Sequence, residues 1–233
     1  APTGEFRSRR KCERSLAAPE GAKSTLSEKN DRFIKGRFAK NSGMRTFIAI
    51  ELPQQIQNAL AKLQEQLKQS GADVKWVEPI NIHLTLKFLG EIDEQQLNKI
   101  KQVIEEIAAD KDAFQIHISS LGAFPHITSP RVIWVGLYSG DKETKEIVAT
   151  LEGKIEKIGI PKEDHTFSSH ITIGRSRSPK NKENLVQLLN KLAGILTAEN
   201  LEFRISKITL FKSSLSPKGP TYEVLHQANL KAT

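Results

Sequence analysis

The sequence predicts an α+β or α/β fold built from two related lobes, and two observations carry this. Strand-like and helix-like apolar patterns alternate along residues 44–230. One order of elements (strand, helix, then a strand bearing His-x-Thr) occurs twice. With 38% hydrophobic side chains, 233 residues are enough to bury such a core. The single cysteine, Cys12, excludes a disulfide framework and Cys-rich zinc modules and fits a reducing, cytoplasmic compartment. No apolar run approaches the roughly 18 residues of a transmembrane helix.

The elements follow in order. Thr46–Leu52 reads as a strand, and Pro53 suits the first residue of a helix. Ile56, Leu60, Leu63 and Leu67 share one helical face, and Gly71 ends it. Val74–Val77 and Ile82–Leu89 are strand-like. Asp93 and Gln96 form a capping pair ahead of Leu97, Ile100, Ile104 and Ile107. Strands Phe114–Leu121 and Val132–Leu137 flank a loop bounded by Pro125 and Pro130. Ile147, Leu151, Ile155 and Ile158 mark a third helix, His170–Gly174 a short strand, and Leu185, Leu188, Leu189 and Leu192 a fourth helix. Phe203–Phe211 and Tyr222–Leu230 close the chain as strands.

A net charge of +8 suggests a nucleic-acid partner until its location is read. Residues 1–43 hold 11 basic and five acidic side chains, leaving 24 against 22 in the rest. The first 43 residues show no apolar periodicity and stop just before Met44, the only methionine. We read 1–43 as a dispensable or disordered leader and 44–233 as a single bilobal domain. A basic RNA-binding arm is the alternative. Five acidic residues argue against a transit peptide, and the missing apolar stretch against a secretory signal.

The repeat places chemistry. Arg45–Ile50 resembles Arg131–Gly136 at an offset of 86, and His83-Leu84-Thr85-Leu86 matches His170-Ile171-Thr172-Ile173 at an offset of 87. Residues two apart in a strand share a face. Ile82, Leu84, Leu86 and Phe88 are therefore expected in the core, with His83, Thr85 and Lys87 opposite. Ile171 and Ile173 likewise leave His170 with Thr172. Facing lobes then hold two His and two Thr between them. Two imidazoles with an ordinary pKa near 6.5 supply a general base and a general acid together. Two hydroxyls suit phosphate oxygens. Opening a cyclic phosphodiester needs these parts.

Blander readings take the other histidines. His126-Ile127-Thr128 breaks the spacing and lies in the Pro-bounded loop. His117 and His226 are assigned to solvated strand faces and His165 to a charged turn. Neither His strand adds the second His or carboxylate that a zinc or iron site wants, so no metal is assigned. No Ser elbow motif is present, and Cys12 lies in the leader.

These residues resemble the 2H phosphoesterase superfamily. More narrowly, Phe47–Pro53, Asn81–Glu91, Pro130–Gly136, His170–Arg175 and Ser213–Glu223 are similar to the bacterial and archaeal RNA 2′,3′-cyclic phosphodiesterases, formerly called 2′-5′ RNA ligases (LigT-like). The resemblance spans 44–230. It implies an α+β fold with two pseudo-symmetric lobes of mainly antiparallel sheet, helices packed outside and the active-site cleft between them. It also implies hydrolysis of RNA 2′,3′-cyclic phosphate ends to 2′-phosphomonoesters without a cofactor. Substrates would be RNA ends, tRNA fragments among them, or cyclic nucleotides, handled by a monomer. On the family pattern His83 is the proton donor and His170 the acceptor, with Thr85, Thr172, Arg131 and Arg175 binding substrate. The pseudo-symmetric motifs by themselves leave acid and base unassigned, and for Arg131 a salt bridge is an equal alternative. Lys87, Arg177, Lys212 and Lys218 are rim candidates. Neither a Lys-x-Asp-Gly ligase motif nor a phosphate-binding Gly-x-x-x-x-Gly-Lys loop occurs, so ligation reduces to weak reversal of the same transesterification. The competing functions are a non-catalytic RNA- or nucleotide-binding module and a metallophosphoesterase.

Overall fold

The computed structural model describes residues 43–198, 201–217 and 219–232, so the expected leader lies outside the described residues except for Gly43. Strand β1 (Met44–Glu51) is followed by α1 (Gln54–Lys68), whose Ile56, Leu60, Leu63 and Leu67 are all buried as their spacing requires. Next come β2 (Val74–Trp76), a 3-10 turn (Pro79–Asn81) and β3 (His83–Ile92). Helix α2 (Glu94–Asp110) starts with the expected capping box. Asp93 Oδ1 accepts from Gln96 N at 2.8 Å, and Gln96 Oε1 accepts from Asp93 N at 3.2 Å.

The second repeat begins with β4 (Phe114–His126) and β5 (Ser129–Ser139). The loop expected between Pro125 and Pro130 is instead a hairpin with a two-residue turn. The prolines face each other across the ladder, as a pair that exchanges no hydrogen bonds and so asks for no N–H. Helix α3 (Asp141–Glu156) follows Gly140, whose φ of 77° and approach to Ile116 (a Cβ would lie 2.3 Å from its Cγ2) both demand glycine. After β6 (His170–Ser176) and α4 (Lys182–Ala198), the strand expected at Phe203–Phe211 divides at Ser206 into β7 (Leu201–Ile205) and β8 (Lys207–Ser216). β9 (Gly219–Asn229) ends the sheet.

Among the described residues, nine strands form one sheet of order β7-β4-β5-β6-β3-β1-β8-β9, with β2 also on β6. All named ladders are antiparallel, as the family resemblance implies. β7 lies at one edge and β8 near the other, yet one residue joins them. At about 3.5 Å of reach per residue, this requires the sheet to curl until its ends meet. Leu230 N–Ser206 O (2.8 Å) and Ala113 N–Lys231 O (2.9 Å) close that end.

The two lobes are therefore halves of one curled sheet, β3-β1-β8-β9 and β7-β4-β5-β6, joined where β3 meets β6. One helix of each is exchanged, while α2 stays on β8 and β9 and α4 on β4 and β5. α1, from the first repeat, packs with α4 beside β7 and β4, whereas α3, from the second, packs with α2 and on β3. No described helix is long and apolar enough to cross a membrane. Replacing Asp93 with alanine removes one arm of the capping box, and equilibrium urea unfolding should show a loss of about 1 kcal/mol.

Candidate active site

The ladder between the two halves is one residue pair, Leu84↔Ile171, and both side chains are fully buried on the helix side of the sheet. An antiparallel register through that pair sets His83 alongside Thr172 and Thr85 alongside His170. All four are partly exposed on the opposite, concave face, as the alternation predicted. Each histidine is aimed by the same device. His83 Nδ1 lies 2.8 Å from Asn81 O, and His170 Nδ1 lies 2.8 Å from Ser168 O. A carbonyl only accepts, so Nδ1 donates its proton and Nε2 keeps the lone pair for chemistry. Asn81 is itself held by the β8–β9 hairpin through Nδ2 to Pro220 O at 3.2 Å.

The repeat extends to a defect in each His strand. In β3, Thr85 faces Ala49 and Lys87 faces Ile48, leaving Leu86 as an extra residue. In β6, Thr172 faces Trp134 and Gly174 faces Ile133, leaving Ile173 extra. Both bulges fall just after His-x-Thr and reverse the alternation beyond it. This corrects two expectations. Phe88 is not core but 54% exposed on the concave face, while Lys87 is buried at 2% and reaches Glu152 Oε2 at 2.7 Å on the helix side. Arg175 occupies the position equivalent to Phe88.

The pocket that opens on this face measures ≈ 1310 Å³ and continues to α3, where Lys87 and Glu152 also line it. It is lined by His83, Thr85, His170, Thr172 and Arg175, together with Arg45, Phe47, Phe88, Phe124 and Tyr222. Its walls around the imidazoles are aromatic. Phe47 lies 4.8 Å and Tyr222 5.4 Å from His83 between ring centroids, and Phe124 meets His170 edge-on at 5.0 Å. Burial holds both histidines below their ordinary pKa, and the Arg175 guanidinium adds to the effect at His170. Burial raises the Tyr222 phenol.

Arg131 is exposed at the start of β5 and does not line the cavity. Arg177 is also exposed away from it, Lys212 pairs with Glu223 at 3.3 Å, and Lys218 lies outside the described residues. His165 does reach the cavity wall. His226, assigned to a solvated face, sits 2.8 Å from Glu105 of α2, and His117 packs edge-on against Tyr138. Among the described residues no three His, Cys, Asp or Glu side chains gather as a metal-binding set. Sequence reasoning missed Arg45, Phe124 and Tyr222, which reach the site from strands other than the two His strands. It also missed the Asn81 and Ser168 carbonyls, which every residue possesses and no motif marks.

A model of LigT-like phosphoesterases matches residues 50–134 and 137–222. The chain belongs to this family. The two matched segments contain one His-x-Thr strand each, at the spacing of the internal repeat. Among its relatives, the RNA 2′,3′-cyclic phosphodiesterase of Methanocaldococcus jannaschii is 38% identical over 184 residues, 79% of this chain and 99% of the relative. That of Methanothermobacter thermautotrophicus is 32% identical over 179 residues, 77% and 95%. A crystal structure from Thermus thermophilus superposes with a TM-score of 0.66 at 27% identity, covering 81% of this chain and 99% of that one. Apo Escherichia coli LigT shares the fold at a TM-score of 0.64 and 21% identity, covering 82% and 99%.

For this LigT-like phosphoesterase, NMR titration of the imidazole protons should place the His83 and His170 midpoints below about 6.5. Below that pH the unfolded chain binds more protons than the folded one. These two side chains therefore lower stability as the pH falls through the unfolded value toward the folded ones.

Proposed function

We propose that the protein hydrolyses RNA 2′,3′-cyclic phosphate ends to 2′-phosphomonoesters by two-histidine general acid–base catalysis. The observation that carries this is the crossed arrangement on one cavity face, each histidine alongside the other repeat's threonine, with Nε2 unengaged on both rings. The similarity to RNA 2′,3′-cyclic phosphodiesterases supports the same substrate.

In the reaction, water attacks phosphorus while its proton passes to His170 Nε2. The P–O3′ bond breaks, and His83 Nε2–H protonates the departing 3′ oxygen. The product carries a 2′-phosphate and a 3′-hydroxyl, and the two rings regain their starting states by exchange with solvent. Thr85 and Thr172 hydroxyls donate to the non-bridging oxygens, and Arg175 offsets their charge. This division of roles is that of the family pattern. Burial, with Arg175 adding to it, favours the neutral His170 ring, as a base must be. At His83 burial opposes the proton, and a bound phosphate anion offsets that opposition.

The open face of Phe88 offers the terminal nucleobase a stacking surface, a contact type worth about 1–3 kcal/mol. Ligation follows only as weak reversal, with an RNA 5′-hydroxyl in place of water. Both histidines come from one chain, so a monomer suffices, and the mechanism calls for no metal.

Turnover of 2′,3′-cyclic AMP and of cyclic-phosphate RNA should persist in excess EDTA. His83→Ala and His170→Ala should each lower kcat by at least about 10²-fold. Undiminished turnover in both variants would sink the proposal, and loss in EDTA restored by metal would replace it with metal catalysis. Phosphorus NMR should show the 2′-monoester. The profile of kcat/KM against pH should be bell-shaped and centred below about 6.5. Raising the pH strips the donor, lowering it protonates the acceptor, and both pKa values are depressed in the free enzyme.

A further inference from the structure

A β-bulge leaves one residue outside the ladder, so something else must fix it. At the β6 bulge, the Ile173 carbonyl accepts from Val77 N at 3.0 Å and from Gln64 Nε2 at 2.8 Å. The same Nε2 donates to Val77 O at 2.8 Å. Gln64 belongs to α1 of the first repeat and is 2% exposed, so these two carbonyls are what make its burial tolerable. At the β3 bulge, the fully buried Lys87 ammonium donates to Glu152 Oε2 at 2.7 Å and to Pro161 O at 3.1 Å. Glu152 belongs to α3 of the second repeat. The two bracing side chains are 88 residues apart, close to the 87 that separates the histidines.

We propose that Gln64 and the Lys87–Glu152 pair are reciprocal positioning residues. Each repeat sends its helix across to brace the bulge in the other repeat's His strand, and each brace aims the residue beyond the bulge into the cavity. Gln64 acts through Arg175, and Glu152, by way of Lys87, acts through Phe88. The reason is the cost of the alternatives. Without Glu152, a buried ammonium is left without its counter-charge. Returning β3 to regular alternation would swing Lys87 away from Glu152 to the side of the histidines, and would turn Phe88 away. Without the Gln64 amide, the Ile173 carbonyl loses one of its two donors, which loosens the bulge just before Arg175, whose own backbone stays paired with Lys75 and Val132. This inference rests on the phosphodiesterase reading, in which Arg175 meets the phosphate and Phe88 the base.

The test is a pair of double-mutant cycles on 2′,3′-cyclic AMP turnover. Gln64→Leu and Glu152→Ala should each lower kcat/KM about tenfold, chiefly through KM, because both act on substrate-contacting side chains rather than on the imidazoles. In an Arg175→Ala background Gln64→Leu should cost less than about twofold more, and Glu152→Ala likewise in a Phe88→Ala background. A purely structural role predicts the same loss with or without the background substitution, and that result would overturn the proposal. Single variants within about twofold of wild type would overturn it as well. If Gln64→Leu does not fold, the Glu152 cycle, at a partly exposed helix position, decides alone. Absence of turnover by the wild type would overturn the phosphodiesterase reading and this inference with it. Wild-type turnover with unaffected variants would overturn the bracing alone.

Discussion

Everything in the site depends on one ladder pair. Leu84 and Ile171 meet where the two halves of the sheet join, and each follows a histidine and precedes a threonine. Burying both on the helix side forces the four polar neighbours onto the concave side. Antiparallel register then crosses them, so that each histidine stands beside the threonine of the other repeat. Neither repeat contains a complete acid–base pair, and neither half of the sheet would hold one if the other were removed. The pair also accounts for the near-equal geometry of the two imidazoles, each aimed by a carbonyl two residues upstream at 2.8 Å.

Electrostatics complete what register begins. Aromatic walls and burial favour neutral imidazoles, and Arg175 reinforces this at one of them only. In the proposed reaction, an anionic phosphate bound between the two rings supports the one proton needed. The charge that matters is local. Of the net +8, the segment 1–43 contributes +6, while the cavity relies on a few side chains such as Arg45 and Arg175.

Much of this was legible in the chain. Helical faces, the Asp93–Gln96 box, the repeat and both His-x-Thr pairs are local patterns of period 3.6 or 2, and local patterns survive folding wherever the ladder stays regular. The reading failed where regularity ended. Alternation carried past Thr85 places Phe88 in the core and Lys87 beside the histidines, and one inserted residue, Leu86, exchanges their faces. Prolines 125 and 130 read as loop because they lack N–H groups, although a pair without hydrogen bonds has no use for them.

The sequence by itself therefore determined the elements, their duplication and the identity of the histidines and threonines. These follow from side-chain chemistry and short-range periodicity. Only the tertiary structure decided that the halves share one curled sheet, that α1 and α3 are exchanged, and that Arg175 lines the cavity and Arg131 does not. Bulges, strand order and carbonyl partners arise from long-range pairing of backbone groups that are the same in nearly every residue. No local pattern can encode which of them will meet.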